Sequence, residues 1–117
     1  MATGESTVSN LPSGDDTASM LSGLATLGAK FEVHGDTAKF RSSWDVDQLD
    51  PLVLDARLAG TTARFLTAVS ALRLGEVVIT GEEALRKRPM DDLHQALSDI
   101  GLDVSPLNGT GMLPVAV

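Results

Sequence analysis

The sequence predicts a small mixed α/β domain, and three observations carry that expectation. Three segments place apolar residues at helical spacing, short apolar or alternating runs separate them, and Leu27-Gly28, Leu74-Gly75 and Ile100-Gly101 close the helical segments in the same way. Each of these glycines is followed within a few residues by a strand-like run, a weak internal echo that repeated αβ units in one domain explain most simply.

Thr7-Val8-Ser9-Asn10 alternates like a short strand before Leu11-Pro12-Ser13-Gly14 breaks the pattern. From Asp15 to Leu27, the residues Met20, Leu21, Leu24 and Leu27 fall on one helical face, Ser13 or Asp15 is placed to cap the start, and Gly28 supplies a left-handed stop. Phe31 and Val33, the tight turn His34-Gly35-Asp36, and then Ala38 and Phe40 predict a β-hairpin. The stretch from Ser42 to Pro51 is acidic and turn-rich, with Trp44 expected to pack over an edge, and Leu52-Val53-Leu54 follows as a buried strand.

Helical spacing returns at Gly60, with Phe65, Leu66, Val69 and Leu72 on one side and Leu74-Gly75 as the end, and Val77-Val78-Ile79-Thr80 is the next strand. In the third helix Pro89 fits the first turn, and Asp91 and Asp92 suit the positive end of the dipole. Leu93, Ala96, Leu97 and Ile100 form its apolar stripe, and Gly101 stops it. Leu102-Asp103-Val104 and Leu113-Pro114-Val115-Ala116-Val117 read as strands around the turn-forming Asn108-Gly109-Thr110-Gly111.

A chain of 117 residues buries a single core but is too short for a two-domain enzyme. Nine Lys and Arg against sixteen Asp and Glu leave a net charge of −7, and no basic stripe with interleaved aromatics offsets it, so nucleic-acid binding is disfavoured. No apolar run approaches the roughly 20 residues of a membrane span, and the polar start Met1-Ala2-Thr3-Gly4-Glu5 is unlike a signal peptide, so a cytoplasmic location is expected. The absence of cysteine excludes disulfides and thiolate metal sites, and two isolated histidines, His34 and His94, do not make a zinc site. Both are assigned surface or packing roles, and the pair Asp15-Asp16 is read as ordinary first-turn helix chemistry.

Two segments are candidates for binding an anion. In Ala59-Gly60-Thr61-Thr62-Ala63-Arg64, the glycine lets backbone amides face a ligand, the threonines supply hydroxyls and a helix start adds partial positive charge, although Thr61 or Thr62 acting only as a cap explains the same residues. Arg86-Lys87-Arg88-Pro89 gathers three of the nine basic residues where a strand has ended and a helix begins, a placement the helix dipole opposes. Either an anion justifies it, with Arg88 as the residue Pro89 holds in place, or it is a solvated turn paired with Glu82, Glu83, Asp91 or Asp92.

Taken together, Ser13-Gly14-Asp15-Asp16-Thr17, Leu58-Ala59-Gly60-Thr61-Thr62-Ala63-Arg64-Phe65-Leu66 and Gly81-Glu82-Glu83-Ala84-Leu85-Arg86-Lys87-Arg88-Pro89-Met90-Asp91-Asp92-Leu93 resemble, in order and spacing, the 5-enolpyruvylshikimate-3-phosphate synthase family. The resemblance runs from about Thr7 to Val117. It implies the inside-out α/β fold of the enolpyruvyl transferases, two similar domains of repeated βαβαββ units with helices inward and sheets outward, of which residues 1–117 fit little more than one unit of the N-terminal domain. The sister UDP-N-acetylglucosamine enolpyruvyl transferases share the fold and a similar Arg-Pro helix start, while the Ala-Gly-Thr segment looks like the shikimate branch.

The implied activity is that of a 3-phosphoshikimate 1-carboxyvinyltransferase, which moves the carboxyvinyl group of phosphoenolpyruvate to the 5-hydroxyl of shikimate 3-phosphate and releases phosphate, with no metal or organic cofactor. Carried over by resemblance, Gly60 is the glycine whose backbone approaches phosphoenolpyruvate, and Arg88 is the arginine that binds its anion. Thr61 shapes the loop where glyphosate competes, Arg64 supports the site and Asp16 is structural. Leu58 departs from the Asn that many relatives carry before Ala-Gly-Thr, removing a side-chain amide. The family's Lys-Ser segment, its shikimate-phosphate arginine and its acid/base carboxylate have no counterpart in this sequence, so an inactive partial domain that needs the remaining parts of the enzyme is expected, and no catalytic residue is assigned. Two other readings stand beside it: a non-catalytic module that binds an anion or partner through Gly60 and Arg88, and an αβ repeat whose exposed C-terminal strand, Leu113 to Val117, drives self-association.

Overall fold

The computed structural model describes residues 4–41, 47–109 and 111–117; Trp44, with the first half of its acidic turn, and Thr110 lie outside the described residues. The elements follow the order β1 (Glu5–Val8), α1 (Asp15–Thr26), β2 (Lys30–His34), β3 (Thr37–Arg41), β4 (Leu52–Asp55), α2 (Gly60–Ser70), β5 (Val77–Thr80), α3 (Glu83–Arg86), α4 (Asp91–Asp99), β6 (Ser105–Pro106) and β7 (Val115–Ala116). They form the mixed α/β arrangement that the sequence predicts, in two sheets.

The hairpin forms as predicted, with His34 opposite Thr37 across a turn whose Gly35 takes a positive φ of 61°, and with the Phe31 and Phe40 rings 5.1 Å apart. Strand β1 pairs with the other side of β3, giving an antiparallel sheet of order β1-β3-β2. It starts at Glu5 rather than Thr7, and every one of its residues is exposed. The second sheet has the order β4-β5-β7-β6, in which β4 and β5 are parallel and β7 and β6 complete it antiparallel.

A parallel pair needs a crossover, and α2 supplies it, packing on β5 and on α1. Leu54, Val77, Ile79 and Val115 from the sheet meet Leu27, Ala63, Leu66, Leu85, Met90 and Leu113 in one core. Only one face of the sheet is covered: Leu54 is buried while Val53 is 64 % exposed, so the run read as a fully buried strand in fact alternates. Leu113 and Val115 are buried, which removes the exposed C-terminal strand from consideration.

The helices bury different faces from those hydropathy indicates. Phe65 on α2 and Leu72 just past its end are more than half exposed, and the covered face of the helix is Thr62, Ala63, Leu66, Thr67 and Ser70. Small residues let this helix lie close to its neighbours: a Cβ added to Gly23 on α1 would collide with Leu66 Cδ1. The buried Thr67 hydroxyl satisfies itself by donating to the Ala63 carbonyl at 2.8 Å. On α4 the covered side runs through Met90, His94 and Leu97 with Leu93 half-buried, whereas Ala96 and Ile100 face solvent.

Further boundaries differ for local reasons. Gly14, not Ser13 or Asp15, is the N-cap of α1, with no side-chain cap bond. Pro89 precedes the N-cap Met90 of α4 instead of lying in its first turn, because the single-turn α3 intervenes. Helix α2 stops at Ser70, short of Leu74-Gly75, where the buried Arg73 donates to the Asp50 carbonyl at 2.6 Å. Gly75 serves by its size, since a Cβ there would lie 2.5 Å from Arg73 Nη1 and 2.7 Å from the Leu49 carbonyl oxygen. Gly28 and Gly101, with φ of 96° and 95°, are the left-handed stops that were expected. Residues 102–104 are not a strand; the pairing begins at Ser105, and β7 is confined to Val115 and Ala116.

His94 is 5 % exposed, and neither ring nitrogen has a hydrogen-bond partner among the described residues. Burial lowers its pKa below the ordinary 6.5, against the opposing field of Asp91. The unfolded chain therefore binds this proton more readily than the folded one, so the stability present above pH 6.5 is progressively lost as pH falls through and below that value. Thermal melting from pH 7.5 to 5 will show a smaller decline in Tm for His94→Leu than for the unsubstituted chain. Parallel pH profiles of the two proteins would contradict this.

Candidate functional site

Parallel register brings the carboxyl ends of β4 and β5 to one edge, where Asp55 faces Thr80 and the Ala56 amide donates to the Thr80 carbonyl at 3.0 Å. Open α/β sheets collect ligands at this edge. The two loops leaving it are tied together, because the Glu82 amide donates to the Arg57 carbonyl at 2.8 Å. Gly81 permits that approach: a Cβ would stand 2.8 Å from the same carbonyl oxygen and 2.6 Å from Leu85 Cδ2.

Helix α2 opens on this edge with Gly60. Its N-cap Ala59 makes no side-chain cap bond, and its first turn holds no acidic residue, whereas α1, α3 and α4 carry Asp15 and Asp16, Glu83, and Asp91 and Asp92 there. The positive end of the α2 dipole is thus left without a carboxylate of its own. Thr61 is exposed, but Thr62 is buried and donates from Oγ1 to the Asp16 carbonyl at 3.2 Å. One threonine remains toward solvent, and the other fastens the start of α2 to α1.

The structure brings Gly60, Arg64 and Arg88 together. A Cβ on Gly60 would lie 2.9 Å from Arg88 Nη1 and 3.3 Å from Arg64 Nη1, so the bare α-carbon is what admits both guanidinium groups. Arg64 donates to the Gly60 carbonyl at 3.1 Å and to the Pro89 carbonyl at 3.0 Å, bridging the first turn of α2 to the segment that carries Arg88. That segment is held further by Arg88 N–H to the Leu85 carbonyl and Met90 N–H to the Gly111 carbonyl.

Five of the nine basic residues, Arg57, Arg64, Arg86, Lys87 and Arg88, lie in these loops and the α2 start. Lys87 pairs with Glu83 at 2.5 Å, as a solvated turn requires. The four arginines have no ion pair among the described residues, although the chain carries sixteen carboxylates. Two guanidinium groups around one carbon repel each other, and an anion bound between them reverses that repulsion. A cleft of about 110 Å³ lined by Asp15, Asp16, Ser19, Arg57, Leu58, Ala59 and Glu82 adjoins the same loops. Among the described residues no His, Asp or Glu cluster suits a metal ion, and no helix is long and apolar enough to cross a membrane. Sequence reading did not single out Arg57, which lies two residues past the end of β4.

The family model described as EPSP synthase (3-phosphoshikimate 1-carboxyvinyltransferase) matches residues 1–117. A 3-phosphoshikimate 1-carboxyvinyltransferase from Rhizobium etli is 38% identical over 119 residues, covering 100% of this chain and 27% of the relative. One from Methanococcoides burtonii is 36% identical over 102 residues, covering 87% and 24%. The structure of EPSP synthase from Acinetobacter baumannii superposes with a TM-score of 0.81 at 21% identity, over 100% of this chain and 27% of that one, which shows the shared fold. The chain spans about a quarter of the length of the curated relatives it matches.

Two substitutions test the convergence on Gly60. Gly60→Ala places a methyl against Arg88, the movable end of an exposed side chain, so the chain should stay folded while inorganic phosphate, titrated by NMR, binds several-fold more weakly. Arg64→Met removes both carbonyl bonds and frees the Arg88 segment. It should weaken phosphate binding by about 10-fold, corresponding to one or two hydrogen bonds from a charged donor. Unchanged affinity in both variants would show that the two arginines do not act on a common anion.

Proposed function

Since the chain belongs to the EPSP synthase family, we propose that it forms one wall of the phosphoenolpyruvate site of a 3-phosphoshikimate 1-carboxyvinyltransferase. The observation that carries this reading is the meeting of Arg88 and Arg64 at the Cβ-free face of Gly60, beside a helix start that has no carboxylate of its own. Gly60 and Arg88 are the groups that bind the anion of phosphoenolpyruvate. Thr61 shapes the loop, and Arg64 positions Arg88 through the Pro89 carbonyl.

In the family's reaction the 5-hydroxyl of shikimate 3-phosphate adds to phosphoenolpyruvate, and phosphate is then lost from the tetrahedral intermediate. Arginines fixed before the reaction hold the phosphate and stabilise the charge it keeps on departure, without reorganisation at the moment of bond breaking. A single wall cannot also position the second substrate or move its proton. Residues 1–117 are accordingly one partial domain, and its partners are the two substrates and the remaining parts of the same enzyme, in the cytoplasm; alone it binds without turnover.

A two-dimensional amide NMR titration with phosphoenolpyruvate, repeated with shikimate 3-phosphate present, tests this. Gly60, Thr61 and Arg88 should shift while the β1-β3-β2 sheet does not, and Arg88→Ala should weaken binding by about 10- to 100-fold, the range for a hydrogen-bonded charge. A well-dispersed spectrum in which none of the three moves would leave the family fold without the site.

A further inference from the structure

Arg57 lies at the same edge, and its side chain has no assigned purpose. Its φ is 50°, in the left-handed region that glycine occupies freely and that a long side chain rarely adopts. Among the described residues only Asn10 shares this feature, and asparagine tolerates it. The backbone is held there from both sides: the Asp55 carboxylate accepts the Arg57 N–H at 2.8 Å, and the Arg57 carbonyl accepts the Glu82 N–H at 2.8 Å. Any residue would make those two bonds, and glycine would make them without strain. The guanidinium makes no hydrogen bond or ion pair within the described chain, even though Asp15, Asp16 and Glu82 line the same cleft. An arginine kept in a strained backbone, with an exposed and unpaired charge, contributes nothing to the fold that glycine would not.

We infer that Arg57 is a further substrate-binding residue, contacting the second anionic group of a ligand whose first is held at Gly60 and Arg88. This rests on the reading of the edge as a phosphoenolpyruvate site and deepens it by assigning a cation to each of the molecule's two anionic groups. The turn closed by the Ala59 N–H to Ala56 carbonyl bond folds Arg57 back beside the start of α2, three residues before Gly60. Its clamped backbone fixes the direction in which the side chain leaves. The strain is then the cost of presenting that cation from a rigid strand end. Selectivity follows, because a ligand with both phosphate and carboxylate engages both poles and inorganic phosphate engages one.

Thermal melting combined with NMR titrations of phosphoenolpyruvate and inorganic phosphate on the 117-residue chain tests the inference, using Arg57→Gly, Arg57→Lys and Arg88→Ala. Arg57→Gly should raise Tm by about 2–6 °C as the strain is relieved. It should also weaken phosphoenolpyruvate binding by about 10-fold while changing phosphate binding by less than about 2-fold, with Arg57→Lys intermediate. A raised Tm with unchanged phosphoenolpyruvate affinity shows an idle side chain, and a lowered Tm shows a structural one; either overturns the inference. If Arg88→Ala loses binding and Arg57→Gly does not, the site stands without Arg57. If the unsubstituted chain does not bind phosphoenolpyruvate, the site reading fails and the inference with it.

Discussion

The parallel register of β4 with β5 is the constraint on which the rest depends. Pairing Leu52 with Val77 through Asp55 with Thr80 sends both strands out of the sheet at the same edge, and everything of chemical interest is on the loops that leave there. The crossover it demands is α2, which must begin where β4 ends. Its uncapped start is thereby brought beside the Gly81-Glu82 turn and the α3 segment that carries Arg88. An antiparallel pairing would have joined the strands by a hairpin and placed the two loops at opposite ends.

Close packing turns that topology into a fixed site. The sheet is covered on one face only, so the helices must meet each other as well as the strands, and α1 meets α2 where Gly23 makes room for Leu66 and Thr62 reaches the Asp16 carbonyl. Thr62 carries this packing into the functional edge, since its bond to the Asp16 carbonyl ties the first turn of α2 to the first turn of α1. Arg64 does the same on the other side, with one guanidinium reaching two carbonyls from segments far apart in sequence. The loop around Gly60 is therefore held from both flanks by side chains that do not themselves need to touch a ligand.

The elements with strong local codes were legible: the hairpin around Gly35, the left-handed stops at Gly28 and Gly101, the strand runs that became β4 and β5, and the α2 start at Gly60; the parallel pairing of those two strands came from the structure. So was the pairing of Gly60 with Arg88, because the family resemblance joined two segments that local spacing could not. The helix faces were misread because hydropathy rewards large apolar side chains, whereas α2 buries threonine and alanine where backbones approach and leaves Phe65 outside. On α4 a buried histidine displaced Ala96 and Ile100 from the expected stripe for the same reason. The four-residue α3 is shorter than any periodicity can register. Arg57 was hidden because its distinguishing feature, a positive φ on a residue with a side chain, is a property of the backbone and not of composition.

The distribution of charge explains why such a site can exist in an acidic chain. A net charge of −7 repels anions at long range, but salt screens that field over about 10 Å. What a ligand meets at contact is the local arrangement, in which four arginines at one edge have no ion pair among the described residues while Lys87 beside them is matched with Glu83 and the distant Arg41 with Glu5 and Glu32. An unpaired arginine in a chain with sixteen carboxylates is not the lowest-energy choice for a fold alone, and neither is a helix start without an acid. Both conditions occur at the same few residues, and an anion bound as proposed would relieve both at once.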